Sequence, residues 1–282
     1  MKYSAARWLV IALAVGVAAC GKTDDTPPGV QPPAASAPAA PPVKAMNLSG
    51  TDGNDQLVGG EGADHLTGGP GADVLDGRGG YDYARYDNAT VGVVASLTDP
   101  KTNTGDAAGD TYVSIDALVG SAFDDQLTGS GGLNDMHGFA GNDLIWGLEG
   151  GDGIGGEEGD DTLDGGSGGD TLDGGPGNDT YVLRASEAEG DIIVQFDGAG
   201  PDKGDSIVFV GYGAKATLTK ATVGNTWQVK SADGMIAESF EIKAGGDALD
   251  ANDYRFVNSF TMGGAATQPV DVKPATTPAS PT

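Results

Sequence analysis

Cysteine and histidine are almost absent from this sequence of 282 residues. Cys20 is its one cysteine, and its two histidines are His65 and His137. A single cysteine cannot build a disulfide framework within one chain. The sequence has no H-E-x-x-H motif, which excludes the pattern typical of zinc proteases. We interpret both histidines as solvent-facing spacers between residues that carry the fold.

Basic side chains are also scarce. The 15 Lys and Arg stand against 41 Asp and Glu, so the formal net charge is −26. Between residues 50 and 182 there are 26 acidic side chains and only three basic ones, Arg78, Arg85 and Lys101. Such a surface repels nucleic acid, and we expect no nucleic-acid partner. A disordered acidic tract would share this composition, but disorder predicts no fixed spacing of apolar residues.

Long apolar runs are missing except at the start of the chain. Lys2 and Arg7 precede the apolar stretch Trp8 to Val17, which is too short for a stable membrane span. The segment Val17-Ala18-Ala19-Cys20 resembles a bacterial lipobox, in which the signal is cut before a cysteine that becomes lipidated. Residues 1–19 are therefore predicted to be a lipoprotein signal peptide, with an ordinary signal peptide and an incidental cysteine as the alternative.

The segments at both ends of the chain are rich in Pro and Ala, and we interpret the first as an extended, semi-rigid tether and the second as a disordered tail. Residues 20–46 begin with the lipidated Cys20 and form a Pro/Ala-rich tether, and residues 261–282 form a disordered tail. Gly21 and Lys22 favour the outer membrane over the inner one. We expect a lipoprotein of the outer membrane that is exposed at the cell surface and held there by its lipid, with an extracellular location as the second choice.

Glycine, by contrast, is abundant, and it recurs with a period of nine. Units of the form Gly-Gly-x-Gly-x-Asp-x-apolar-x follow one another four times from Gly50 and seven times from Gly120. The sixth residue is Asp in ten of these eleven units and fails only at Asn134. The eighth residue is apolar throughout, from Leu57 to Tyr181. A period this short indicates a coil that repeats its geometry at each step.

The residue types in each unit suggest a metal site built from oxygen atoms. Glycines permit tight turns and leave backbone carbonyls uncovered, while the apolar eighth residue can point inward from a short strand. The sixth-position Asp then offers a carboxylate beside carbonyl oxygens. This donor set suits Ca²⁺, which takes six to eight oxygen ligands.

The repeats divide the chain into four further segments. Residues 47–85 and 120–182 are the first and second repeat arrays. Residues 86–119 are interpreted as irregular β rungs of the same coil, because Gly105 to Val113 forms a degenerate unit with Asp110 in the sixth place. Residues 183–260 have an antiparallel β pattern and are predicted to cap the exposed end of the coil.

With "GGSGGDTLDGGPGNDTYVL" in register, the chain resembles the hemolysin-type calcium-binding, or RTX, repeat family. This resemblance implies an all-β fold: a right-handed parallel β-roll of GGxGxDxUx repeats with two units per coil, followed by the antiparallel capping segment. It also implies that several calcium ions lie between turns stacked two units apart. Each ion would take carbonyl oxygens and the Asp of both turns.

The resemblance assigns the metal ligands residue by residue. The implied carboxylate ligands are Asp55, Asp64, Asp73, Asp82, Asp125, Asp143, Asp152, Asp161, Asp170 and Asp179. The implied carbonyl ligands include Gly53, Gly62, Gly138, Gly141, Gly156, Gly159 and Gly174. Asn134 with Asp152 would make a weaker site, because an amide keeps an oxygen but loses the charge. Asp197, Asp202 and Asp205, after the repeats, are further candidates.

The sequence favours a binding protein over an enzyme. Gly165 to Gly169 matches the G-x-S-x-G nucleophile elbow, but its glycines belong to the repeats. Many family members carry a catalytic domain beside the repeats, and no stretch is left over for one here. We therefore expect no enzyme, but a calcium-dependent structural or adhesive module at the cell envelope. The alternatives are a module that binds extracellular polysaccharide and a hydrolase without recognisable motifs.

Overall fold

The structure is a computed structural model that describes residues 43–198, 204–222, 224–243, 249 and 252–262. The predicted signal peptide, Cys20, most of the tether and nearly all of the tail lie outside these residues. The described part consists of strands, turns and two short 3-10 helices, Pro100–Thr102 and Gly105–Ala107. No helix in it is long and apolar enough to cross a membrane.

The first repeat array forms one short strand per nine-residue unit. Because three extended residues follow each six-residue turn, the strands recur at the period of the sequence. They are β1 (Asn47–Ser49), β2 (Gln56–Val58), β3 (His65–Thr67), β4 (Val74–Asp76) and β5 (Tyr83–Arg85).

The middle of the chain contains the irregular rungs and the second repeat array. The irregular rungs are β6 (Val94–Ser96), β7 (Thr111–Val113) and β8 (Ala117–Val119). The second array comprises β9 (Gln126–Thr128), β10 (Asp135–Ala140), β11 (Leu144–Trp146), β12 (Glu149–Gly150), β13 (Gly153–Glu158), β14 (Thr162–Asp164), β15 (Ser167–Gly168), β16 (Thr171–Asp173) and β17 (Thr180–Arg184).

Successive strands alternate between two faces, so the chain winds as a flattened coil. One face is an 11-stranded sheet in the order β1-β3-β5-β8-β10-β13-β16, which later strands extend. We call it sheet one. The opposite face contains β17-β14-β11-β9-β6, here called sheet two, and a separate group β2-β4-β7. All these pairs are parallel, and neighbours in the arrays are 18 residues apart, as in Leu144↔Thr162. The all-β class and the parallel β-roll predicted from the sequence are thereby confirmed.

The eighth residues of the repeats form the core between the two faces. Leu66, Met136, Ile145 and Leu172 are each 0% exposed and belong to one continuous cluster. Each contributes about 1.5 to 3 kcal/mol by burial. Since every coil buries only two such side chains, the core is a narrow column.

The irregular rungs insert into this coil without leaving it. β7 pairs with β4 and β6 pairs with β9, so both strands lie between β4 and β9 on the same face. β8 continues sheet one between β5 and β10. The interpretation of residues 86–119 as wider rungs of the same coil agrees with this pairing.

The coil also continues beyond the last repeat, which the sequence pattern did not predict. β18 (Ile192–Val194) and β19 (Ser206–Val210) add a parallel strand to each sheet, and β23 (Tyr254–Val257) pairs in parallel with β19. Only β20 (Thr217–Lys220), β21 (Thr226–Lys230) and β22 (Ala237–Lys243) form the antiparallel part. The predicted antiparallel segment is therefore present, but it joins a roll that extends further than its glycine motif.

Candidate metal sites

The sixth-position aspartates lie at the two edges of the roll, where the chain turns from one sheet to the other. Each one directly precedes a strand and is buried except Asp55. Because neighbouring coils are in register, the aspartates of every second repeat stack above one another. They form two columns of carboxylates, one along each edge.

A repeated hydrogen bond connects the members of each column. The backbone N–H of one sixth-position residue donates to Oδ1 of the aspartate 18 residues later. The stacked pairs and their N···O distances are Asp55–Asp73 (2.8 Å), Asp64–Asp82 (2.8 Å), Asp125–Asp143 (2.7 Å), Asn134–Asp152 (2.8 Å), Asp143–Asp161 (2.7 Å), Asp152–Asp170 (2.8 Å) and Asp161–Asp179 (2.9 Å). These are the pairs that the resemblance implied, including the weaker one with Asn134.

The second carboxylate oxygen of each pair's later member is buried and has no hydrogen-bond partner among the described residues. These seven atoms are Oδ2 of Asp73, Asp82, Asp143, Asp152, Asp161, Asp170 and Asp179. A buried, unpaired carboxylate oxygen is costly, because burial removes its hydration and nothing replaces it. Each of these seven turns therefore contains one oxygen that needs a cation or a donor.

The aspartate that begins a stacked run of repeats differs, because its second oxygen is satisfied within its own turn. Oδ2 of Asp55 accepts the backbone N–H of Thr51 at 2.6 Å, and Oδ2 of Asp64 accepts that of Gly60. Oδ2 of Asp125 accepts the N–H of Ser121. The unpaired oxygen is therefore a property of a stacked pair and not of every sixth-position aspartate.

Glycine at the first position of the repeat keeps each space open. A Cβ on Gly147 would collide with Oδ2 of Asp152 and with the carbonyl oxygen of Gly165 in the next coil. The same two kinds of atom surround Gly138, where they come from Asp143 and Gly156. A carboxylate oxygen and a backbone carbonyl oxygen thus converge on the volume that a side chain would fill.

The predicted glycine ligands occupy two kinds of position. Gly138, Gly156 and Gly174 are first-position glycines beside Oδ2 of the aspartate in their own repeat. The fourth-position glycines lie under the preceding coil: Gly62 against the carbonyl of Lys44, Gly141 against that of Phe123 and Gly159 against that of Gly141. Gly53 lies in the first, exposed turn, where an added Cβ would meet only the Thr51 hydroxyl, at 4.0 Å.

Burial raises the pKa of the stacked carboxyls. Desolvation is the largest cause for Asp143, whose pKa is raised to about 8 with further contributions from the charges of Asp161 and Asp125. Desolvation likewise raises the pKa of Asp179 to about 7 and those of Asp152 and Asp161 to about 6. Without a cation, ionisation of these carboxyls is therefore less favourable inside the roll than in water.

The donor set fits a hard cation that accepts backbone oxygen. Within the described part of the chain, no three His, Cys, Asp or Glu side chains lie close enough to hold a metal ion by themselves. A metal site here would therefore combine carboxylate and backbone carbonyl oxygens. Ca²⁺ prefers this combination, whereas softer metals prefer sulfur or imidazole ligands.

Four aspartates outside the repeats extend the two columns. Oδ1 of Asp110 accepts the N–H of Asp73 at 2.8 Å, and Oδ2 of Asp116 accepts that of Asp82 at 2.9 Å. At the other end, Asp191 and Asp205 accept the amides of Asp170 and Asp179. The degenerate repeat pointed to Asp110 and the sequence after the array to Asp205. Asp116 and Asp191 were missed, since their spacings of 34 and 21 residues hide the register.

Two of these added aspartates have their second oxygen satisfied by the protein. Oδ2 of Asp110 accepts the Tyr86 hydroxyl at 2.9 Å, and Oδ2 of Asp205 accepts the N–H of Asp197 at 2.9 Å. Along one edge, the column of the first array therefore ends at Asp110 and that of the second at Asp205. In both, a hydrogen bond from the protein satisfies the second oxygen.

The serine and histidines that were considered as catalytic residues lie on the strands of the roll. Ser167 lies in β15, which pairs with β12 and is followed by strand β16, so no helix completes a nucleophile elbow there. His137 lies on the outer face of sheet one with Asp135 at 3.3 Å and Glu157 at 3.1 Å. His65 stacks on Tyr83 with ring centroids 4.6 Å apart.

These features define a parallel β-roll with stacked, oxygen-rich turns. The family model for the RTX calcium-binding nonapeptide repeat matches residues 49–84, 116–154 and 155–182. The chain thus carries RTX calcium-binding repeats, as its sequence predicted.

Several solved structures are similar to this chain. The AlgE6R3 subunit of the mannuronan C5-epimerase of Azotobacter vinelandii shares 29% identity over 57% of this chain and 92% of its own, with a TM-score of 0.25. The AlgE6R2 subunit of the same epimerase shares 24% sequence identity over 52% of this chain and 96% of its own, with a TM-score of 0.27. The extracellular lipase LipA of Serratia marcescens shares 19% over 77% of this chain but only 40% of its own, with a TM-score of 0.35. No curated protein matches the chain.

Proposed function

We propose that the chain binds calcium in the seven spaces between its stacked repeat turns and folds as it does so. The observation that carries this proposal is the match between the seven stacked pairs and the seven unpaired Oδ2 atoms. The pairing follows from the repeat spacing, whereas the unsatisfied oxygens are a property of the folded coil. Their agreement supports a divalent cation at each stacked pair, because the ion would satisfy the buried oxygen.

The ion supplies positive charge between carboxylates that otherwise repel one another. The carboxylates of each pair, with the carbonyl oxygens of both turns, hold it, and the first-position glycines leave room for it. Asp143 and Asp161 each take part in two pairs, so they hold two ions at once. Asp55 takes part in one.

Calcium counting in substituted chains tests this assignment. Isothermal titration calorimetry of Asp161→Ala should show two ions fewer than the unchanged protein, whereas Asp55→Ala should lose one. Glu158→Ala is the matched control, because this nearby carboxylate is exposed and lies outside the column. Equal losses for Asp161→Ala and Asp55→Ala would contradict the stacking.

The proposed place of action is the outer surface of the cell, where the chain is held by a lipid on Cys20. Support comes from the sequence: a charged start, a short apolar run and small residues before the cysteine. Cys20→Ser should release the protein from the membrane fraction. A wild-type protein that is soluble in the medium with an unmodified N-terminus would rule out the anchor.

A structural or adhesive role at the envelope is the function that this combination supports best. A roll held together by calcium offers a regular surface for contact with other components of the envelope. Deleting the protein should reduce cell adhesion in calcium-replete medium, and unchanged adhesion would count against the role. That the chain is not an enzyme stays a prediction, which broad hydrolase substrate profiling tests.

A further inference from the structure

An open groove of about 580 Å³ lies on the outer surface of sheet two, beside the turns of the column that contains Asp152 and Asp170. Trp146, Asp164 and Arg184 line it from three successive strands, β11, β14 and β17. Their sequence neighbours Ile145, Leu163 and Leu183 fill the core, so alternation along each strand points these three side chains outward. The groove therefore has a fixed floor provided by the sheet.

An aromatic ring and an apolar rim give the groove a surface for a flat ligand face. Trp146 is only partly buried. Beside it, Leu148 is 37% exposed. Its left-handed φ of 82° belongs to the repeat turn and not to the groove, because the second residue of other repeats, such as Phe139 and Glu157, has it too. Trp146 also packs against an apolar cluster on this face that includes Val182 and Val208, so only the exposed part of its indole can stack on the C–H face of a sugar ring.

The polar groups around the ring are held in place. Nε of Arg184 donates to Oδ2 of Asp164 at 2.7 Å, Nη2 lies 2.7 Å from the same oxygen, and the Asp164 side chain is only 4% exposed. The Arg184 side chain is 30% exposed, so its outer edge can donate to a ligand. Glu149 and Ser167 on the opposite wall supply an acceptor and a hydroxyl. Ordered donors and acceptors around an aromatic face are typical of small-molecule sites.

Charge decides which sugars fit. The lining carries three carboxylates, Glu149, Asp164 and Glu187, against the one guanidinium of Arg184. A ligand with carboxylate groups would be repelled by this excess of negative charge. We propose that the groove binds a glycan without carboxylate groups, with one ring stacked on Trp146 and hydroxyls bonded to Arg184 and Glu149.

This site borders the turns that contain Asp152 and Asp170, so it rests on the proposed function: the roll must be folded and these turns must hold their calcium. Circular dichroism at the same calcium concentration reports folding independently, so a failure of sugar binding is distinguishable from a failure of calcium-dependent folding.

The test is calorimetry with the chain lacking residues 1–20 in saturating calcium. The ligands are hexasaccharides of glucose, mannose, glucosamine and mannuronate. At least one of the first three should bind, and Trp146→Ala should weaken it at least tenfold. Trp227→Ala, on the hairpin far along the chain, is the control and should leave the affinity unchanged. Binding that survives Trp146→Ala in a folded protein, or no binding by the first three sugars, would overturn the proposal.

A second variant tests the charge argument without touching the floor of the groove. Glu149 is exposed, so Glu149→Lys should fold normally while balancing the lining charges. The mannuronate hexamer should then bind more tightly to the variant than to the unchanged protein. Tighter binding of mannuronate than of the other sugars by the unchanged protein would contradict the proposal.

Discussion

At the residue scale, the aspartates of each column combine burial in the roll with a carboxylate charge that burial makes unfavourable. Each later member of a pair has one oxygen bonded to the preceding coil and one buried oxygen without a partner, as in Asp143. In water such a group is ionised at neutral pH. Inside the roll it is either neutralised by a cation or protonated, because a lone buried carboxylate is too costly.

Acid should therefore stabilise the calcium-free protein. The folded-state pKa of Asp143 is about 8 and that of Asp179 about 7, both above the unfolded value of about 4. Carboxyls with raised pKa contribute stability that is complete below pH about 4 and is lost as pH rises through about 6 to 8. In chelator, far-UV circular dichroism should therefore show more β structure at pH 5 than at pH 8, where the calcium-free chain is expected to be largely unfolded. Asp143→Asn should flatten this dependence, and a β content that falls on acidification would contradict the prediction.

Two glycines of one turn should respond differently to alanine. A Cβ on Gly147 would collide with Oδ2 of Asp152 and the carbonyl of Gly165, whereas one on Gly151 meets only the carbonyl of Gly169 at an ordinary 3.6 Å. Gly147→Ala should lose at least one calcium ion and more than about 1 kcal/mol of stability. Gly151→Ala should keep the full calcium count. Equal calcium binding by both variants, measured by calorimetry, would show that no ion occupies this space.

At the element scale, the sequence predicts strands and turns well where the repeat is regular and less well where it is not. Spacing alone places β9, β11 and β14, because each carries an inward apolar residue nine or eighteen positions from the next. It does not distinguish parallel from antiparallel pairing after residue 182. β18 and β19 contain no glycine motif, so nothing local shows that they continue the roll; their partners far along the chain decide it.

The candidate metal sites likewise include residues that the sequence predicts and residues that only the structure shows. The stacked pairs follow from an 18-residue register, so the repeats determine them. The places of Asp116 and Asp191 in the columns depend on the lengths of the loops before them. Those lengths break the 18-residue register, so only the folded structure shows the pairing.

The irregular rungs contain a buried polar network that holds this part of the coil without a metal. The Tyr86 hydroxyl bonds Asp110 at 2.9 Å and lies 2.5 Å from the Tyr112 hydroxyl, which also accepts from Asn103 at 3.1 Å. Removing one member leaves buried polar atoms without partners, at a cost of about 1 to 3 kcal/mol.

Tyr86→Phe should therefore destabilise the calcium-saturated protein by about 1 to 3 kcal/mol in urea unfolding while the calcium count is unchanged. Loss of a bound ion in this variant would instead place Asp110 in a calcium site.

At the scale of the whole molecule, the net charge of −26 opposes the compact state. The narrow core offers little to offset it. Calcium acts by linkage: at ten times its dissociation constant, each site adds about 1.4 kcal/mol, so seven sites add on the order of 10 kcal/mol. That is comparable with the entire stability of an ordinary domain, about 5 to 15 kcal/mol. Calcium binding and folding of the roll are thus expected to be one event.

Far-UV circular dichroism of the chain lacking residues 1–20, titrated with Ca²⁺ and then with chelator, tests this coupling most directly. The coupling predicts a reversible change from coil to β spectrum. Mg²⁺ should not reproduce it, because its small octahedral shell loses water reluctantly. A β spectrum already complete in chelator at neutral pH, with no gain in Tm on adding calcium, would contradict it.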